Sequence, residues 1–207
     1  MYQKLIILFF LMCFSTNTYS NKVENINDIL GAVYSGNIEY TKFLLAQGAN
    51  INTRDENGFT PLMWALYKNH TKIARFLIEN NANVSIKNNQ GYSSILLAAQ
   101  NNNYEMIVLL AIYGANLNDK DSNGNTILHY ASSLGKKEIV EFLFSQNVEL
   151  NTQNNFGKYP VEYAAENAHR DVLDFLVNVG VYVPYYKYPE QNIRIPDTTS
   201  VVVGINI

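Results

Sequence analysis

Apolar and polar positions along this chain recur with a period of 33 residues. Ala32, Ala65, Ala98, Ala131 and Ala164 keep one register, and Gly58, Gly91, Gly124 and Gly157 keep a second. Gly48, Asn81, Gly114, Asn147 and Gly180 keep a third. Inside one period the pattern passes from turn to helix twice. Asp55-Glu56-Asn57-Gly58 reads as a turn, with glycine where a left-handed backbone costs least. Thr60-Pro61 then opens a helix, because the hydroxyl can cap free N–H groups and proline at the first helical position forfeits no hydrogen bond. Leu62, Ala65 and Leu66 give that helix an apolar face, and Asn69-His70 interrupts it. Ile73, Ala74, Phe76 and Leu77 have the spacing of a second helical stripe, closed by Asn80-Asn81, with Val84 anchoring the loop that follows.

The same device returns as Ser93-Ser94-Ile95-Leu96-Leu97-Ala98 with Ile107, Val108 and Leu110, and as Thr126 to Ala131 with Ile139, Val140, Phe142 and Leu143. In the last period Pro160 keeps its place, Tyr159 stands where the hydroxyl cap belongs, and Val172, Leu173, Phe175 and Leu176 supply the stripe. The units run over about 22–54, 55–87, 88–120, 121–153 and 154–181. A helix pair of this kind buries one apolar face internally, so a neighbour must cover the other, and the units are expected to stack as a solenoid.

A 33-residue unit of one turn and two helices carrying T-P-L-H-x-A resembles the ankyrin repeat. The motif stands here as Thr60-Pro61-Leu62-Met63-Trp64-Ala65 and Thr126-Ile127-Leu128-His129-Tyr130-Ala131. The closing segments are Gly48-Ala49-Asn50-Ile51-Asn52 and Gly114-Ala115-Asn116-Leu117-Asn118. The resemblance implies an all-α ankyrin-repeat solenoid of about five helix-turn-helix units with projecting turn fingers. Met63, Leu96 and Glu162 stand where His129 keeps the family histidine, so bonding between adjacent turns is expected to be uneven. The first unit has Asn27-Asp28 in place of Thr-Pro and is expected to cap the stack.

The resemblance also implies where another protein binds: on the concave surface of finger tips and first helices. Carried onto this sequence, that surface holds Tyr34 in the first unit and Glu56, Phe59, Tyr67 and Lys68 in the second. The third adds Tyr92, Gln100 and Asn101. Tyr34 and Tyr67 occupy equivalent places in adjacent units, as do Phe59 and Tyr92, so each pair is expected side by side. Aromatic side chains dominate binding hot spots, and the four form the preferred site, with Lys68 and Glu56 as orienting charges. Toward the last two units the same surface turns to Asn, Ser and Lys, the composition of an ordinary solvated face.

Composition narrows the function further. The 207 residues are 47% apolar, enough for a core, and the net charge is -3 with both signs scattered, so no basic block offers itself to nucleic acid. The three histidines do not form a ligand set: His129 reads as a packing and turn-bonding residue, and His70 and His169 share one repeat position, three units apart, as polar caps. No phosphate loop, nucleophile elbow or zinc-protease motif appears. The expectation is a monomeric, non-enzymatic adaptor without cofactor or metal.

The ends of the chain differ from the repeats. Lys4, the apolar run Leu5 to Phe14 and the polar stretch Ser15 to Ser20 follow the order of a secretory signal, with cleavage suited before Asn21. Residues 1–20 are therefore expected to direct export, to the periplasm or outside the cell, with a retained membrane anchor as the alternative. Removing them takes Lys4 from the 15 basic residues, leaving 14 against 18 acidic, and also takes Cys13, the sole cysteine. An exported adaptor leads, with a host-directed exported factor and a structural or enzyme-assisting envelope protein as alternatives. After Gly180 the period stops: Pro184 and Pro189 exclude a further helix across 181–189, Pro196 continues that character, and Val201 to Ile207 is a β-prone, apolar segment. This tail is expected to lie as an extended arm over the open apolar end of the last unit, with a partner-binding or membrane-associated arm as the alternative.

Overall fold

The computed structural model describes residues 28–181. The signal and tail expectations, on 1–20 and 182–207, lie outside those residues. Among the described residues ten helices pair within five units: α1 (Ile29–Tyr34) with α2 (Ile38–Ala46), α3 (Pro61–Tyr67) with α4 (Thr71–Glu79), and α5 (Ser94–Gln100) with α6 (Tyr104–Ile112). The last two pairs are α7 (Ile127–Ser133) with α8 (Lys137–Ser145) and α9 (Pro160–Glu166) with α10 (Arg170–Asn178). No strand occurs among the described residues; one isolated bridge joins Lys87 to Ser93. The odd-numbered helices pack in sequence as an inner layer and the even-numbered ones as an outer layer, which is sparsest between α6 and α8.

The core runs between the layers along the whole stack. Each inner helix after the first buries nearly its full length, as with Leu62, Met63, Ala65 and Leu66 on α3 and Ile95 to Ala99 on α5. The outer helices bury a narrower stripe. On α6 this is Met106, Ile107 and Leu110, whereas Val108, expected inside, is only half-buried.

Every left-handed residue among those described falls in one of three registers: the finger glycines, the closing Gly/Asn set, and Gly36, Asn69, Asn102, Gly135 and Ala168 between paired helices. The period thus fixes the backbone reversals as well as the core. The caps follow the sequence where it is strong. Asp28 accepts from Gly31 N–H at 2.9 Å, so the first unit has its own cap, and Thr60 accepts from Met63 N–H at 3.2 Å. Ser93 makes no such bond, and its Oγ is among the buried polar atoms that have no partner.

Candidate protein-binding surface

Each finger is built on one polar residue. Asp55, Asn88, Asp121 and Asn154 lie 33 apart, and each uses Oδ1 to accept two backbone N–H groups, two and four residues on, at 2.8–3.0 Å. Neighbouring fingers are tied by their backbones: Asn89 N–H to Asn57 C=O, Ser122 to Gln90, and Asn155 to Asn123, at 2.9–3.2 Å. The tips are therefore a fixed ledge, and the adjacent inner helices present their side chains beside it.

Four aromatic rings gather there in the first two units. Trp64 on α3 is the hub, with ring centroids 5.2 Å from Tyr34, 4.7 Å from Phe59 and 5.7 Å from Tyr67. Tyr34 and Tyr67 are each half exposed, at 50% and 51%. Lys68 places its ammonium 4.1 Å from the Tyr34 ring centre and 5.8 Å from that of Tyr67, so a cation lies against both exposed rings. The Trp64 indole N–H donates to Asp55 Oδ2 at 2.9 Å, which fixes the hub to the finger base.

The structure brings together Tyr34, Phe59, Tyr67 and Lys68 of the residues expected at the site. Trp64 was not among them, although its signal was in the sequence: it holds the variable place of T-P-L-H-x-A, where an aromatic can reach back nine residues to the finger base. Glu56 stands exposed on its finger, and its carbonyl accepts from Asn89 Nδ2 at 3.0 Å. Gln100 is exposed at the end of α5. Asn101 is engaged otherwise: its amide donates to Leu66 C=O at 2.7 Å and Tyr67 C=O at 3.2 Å, closing the end of α3.

Tyr92 also lies apart from the cluster, and no ring contact joins it to Phe59 among the described residues. Its hydroxyl sits 3.2 Å from that of Tyr130, which in turn donates to Asp121 Oδ2 at 2.7 Å. Asn125 donates to the same oxygen at 3.3 Å, Asn154 bonds Asn125 at 2.8 Å, and Asn154 donates to the Tyr163 hydroxyl at 2.9 Å. Burial and the Asp121 carboxylate push the Tyr130 hydroxyl far up from its ordinary pKa, so it remains a donor. The surface of fingers and inner helices thus divides in two: exposed rings with a cation over the first two units, and a self-bonded polar ladder over the last three.

The histidines serve the stack. His129 Nδ1 accepts from Thr126 N–H at 3.1 Å, so its Nε2 carries the proton and donates to Lys158 C=O at 3.2 Å in the next unit. Burial lowers its pKa, outweighing the Lys158 carbonyl that raises it. Glu162, in the equivalent place, accepts from Tyr159 N–H at 2.7 Å and bonds within its own unit. His70 and His169 make no side-chain cap to the helices they precede. They reach back one unit instead, to Tyr34 C=O at 3.3 Å and Ser133 C=O at 2.9 Å, and so correct the capping role expected for them. Among the described residues no group of His, Cys, Asp and Glu could hold a metal ion. No helix there is long and apolar enough to cross a membrane.

The family model for ankyrin repeats (three copies) matches the chain over residues 7–88, 29–121 and 95–185. These stretches span most of the sequence, and the chain belongs to the ankyrin-repeat family. Repeats of this kind generally act as modules that bind other proteins. No curated protein matches the chain.

Proposed function

We propose that this protein is a non-enzymatic scaffold that binds another protein through the concave face of its first two units, with Tyr34, Trp64, Tyr67 and Lys68 at the centre. The observation that carries this reading is the half-exposure of Tyr34 and Tyr67 around an anchored indole. A folded chain gains little by leaving two large rings open to water, and aromatic anchors of this kind supply most of the energy of protein contacts. Lys68, held over both rings, favours a partner that brings a carboxylate beside an apolar group. The polar ladder of the later units supports the stack rather than the contact.

Export belongs to the same proposal. Lys4 and the apolar run Leu5 to Phe14 support removal of residues 1–20 and action in the periplasm or outside the cell. Intact-mass measurement of the chain from its native host tests export: a mass lacking residues 1–20 is expected, and a full-length mass in the cytosol overturns it. Affinity capture from the same compartment tests binding. A protein retained by the native chain and released by Tyr34→Ala with Tyr67→Ala is expected, and equal retention by the variant overturns the surface assignment.

A further inference from the structure

The outward side of the outer layer is charged in every unit after the first but one. Along one outward stripe, α4 carries Arg75 with Glu79, while one turn earlier in the register α8 carries Lys137 with Glu141 and α10 carries Arg170 with Asp174, all as i, i+4 ion pairs of 3.5–3.8 Å. The three positions of this stripe are Thr71, Arg75 and Glu79 on α4, Lys137, Glu141 and Ser145 on α8, and Arg170, Asp174 and Asn178 on α10, whereas α6 holds Tyr104, Val108 and Ile112. This is an apolar stripe one helix long on the side where its neighbours are ionic. Ile112 is 73% exposed, and Tyr104 and the following Tyr113 are exposed beside it. The ion pairs Arg75–Glu79 and Arg75–Glu105 border it on one flank and Lys137–Glu141 on the other. The stripe also lies where the outer layer is sparsest, between α6 and α8.

We infer that the stripe is the docking site of this chain's own residues 182–207, with Val201, Val203 and Ile205 seated on Tyr104, Val108 and Ile112. Three observations choose this occupant over others. The first is position: Val181, buried and bonded through its N–H to Leu176 C=O at 3.0 Å, leaves the stack at the C-terminal end of α10. Ile112 ends α6 at the same edge of the same layer, two units back, or roughly 20 Å at ordinary helix spacing. The 20 residues from 182 to 201 can cross several times that distance.

The second is spacing. Residues i, i+4 on a helix rise about 6 Å apart, and alternate residues of an extended strand about 6.6 Å. Val201, Val203 and Ile205 can therefore meet three successive positions of the stripe, and no charged residue lies between Val201 and Ile207. The third is area. The exposed parts of Tyr104, Ile112 and Tyr113 amount to on the order of 300 Å², against about 800 Å² per partner in a stable dimer. A contact this small holds when its two halves are tethered, because the tether supplies a high effective concentration.

The test is side-chain footprinting of the full chain with photogenerated hydroxyl radicals, reading Tyr104, Ile112 and Tyr113 by mass spectrometry. The variant Val203→Asp lies outside the repeats and leaves the fold intact, which circular dichroism checks. Oxidation of the three residues is expected to rise about threefold or more in Val203→Asp relative to the native chain, while oxidation of Tyr67 stays level. Equal oxidation in both proteins overturns the inference. Protection that grows with protein concentration and ignores Val203 also overturns it, and assigns the stripe to a second copy.

Discussion

Leu97 stands against the base of its finger where Trp64, Tyr130 and Tyr163 stand in theirs, and it leaves the buried Nδ2 of Asn88 without a hydrogen-bond partner. Trp64 bonds Asp55, Tyr130 bonds Asp121 and Tyr163 bonds Asn154, each across nine residues. An aliphatic side chain at that register has nothing to offer. Among the described finger bases, that of the third unit therefore carries a desolvated amide that the others do not.

That relationship gives a double-mutant cycle. Asn88→Asp puts a carboxylate where the orphaned amide now sits and is expected to destabilise the chain by about 1–3 kcal/mol, the usual cost of an unsatisfied buried polar group. Leu97→Trp in the same chain restores the Trp64–Asp55 arrangement. The pair is expected to be less destabilising than the sum of its parts by about 1 kcal/mol, read from urea unfolding midpoints. Strict additivity would mean that the two positions do not share the geometry seen in the second unit.

Two tyrosines on the concave face should separate binding from stability. Tyr67→Ala removes a half-exposed ring and is expected to weaken partner capture by tenfold or more, about 1.4 kcal/mol. Half of that ring packs against Trp64 and Phe59, so the free energy of unfolding should fall by only about 1 kcal/mol. Tyr130→Phe deletes the hydroxyl that holds Asp121 and should behave oppositely, losing about 1.5–3 kcal/mol of stability with capture unchanged. Side-by-side titration and urea melts of the two variants decide the matter.

Acidification should loosen the fourth unit first. His129 is held neutral, with a pKa below the usual histidine value, so the unfolded chain binds a proton more readily than the folded one. The contribution of His129 is therefore complete above about pH 6.5 and is lost as the pH falls below that value. Protonation would also turn Nδ1 into a donor facing the Thr126 N–H, 3.1 Å away. The gap in stability between the native chain and His129→Gln is expected to narrow steadily from about pH 7.5 to about pH 5. A constant gap would show that the imidazole does not titrate with folding.

Ala168 is the one non-glycine, non-asparagine residue among the left-handed positions, at φ +57°. Its equivalents are Gly36, Asn69, Asn102 and Gly135. Left-handed backbone costs an L-alanine roughly 1–2 kcal/mol. Ala168→Gly is expected to recover about 1 kcal/mol and raise the melting temperature by a few degrees. The reverse change at Gly135 should be worse than this strain alone, because a Cβ there would lie 2.4–2.8 Å from the His169 ring.

Most of the fold was legible because a period states its rule several times over. Three registers of turn residues and two apolar stripes fix helices, reversals and stacking together, and an error in one unit is corrected by the next. The surface was only partly legible, since binding side chains are where units differ. Phe59 and Tyr92 look equivalent along the sequence. Yet Phe59 turns to an indole, while Tyr92 meets the Tyr130 hydroxyl of the next unit. Trp64 read only as a helix residue, although its place nine residues past the finger base is one from which an indole N–H reaches Asp55. Val108 read as core for a related reason: the apolar stripe of α6 continues around the helix, and sequence alone does not say where burial stops.

The ledge of backbone bonds from Asn57 through Asn89, Gln90, Ser122 and Asn123 to Asn155 has a mechanical consequence. In a stack whose units touch only their neighbours, stiffness adds in series, and the softest link sets how far the whole can bend. The third unit combines an uncapped Ser93 and an orphaned Asn88 amide with intact fingers on both sides. The molecule should flex there as two stiff blocks on a compliant joint, with the aromatic face carried wholly on one of them. A partner gripping that face would feel a rigid jaw, while the far block swings to meet whatever lies beyond it.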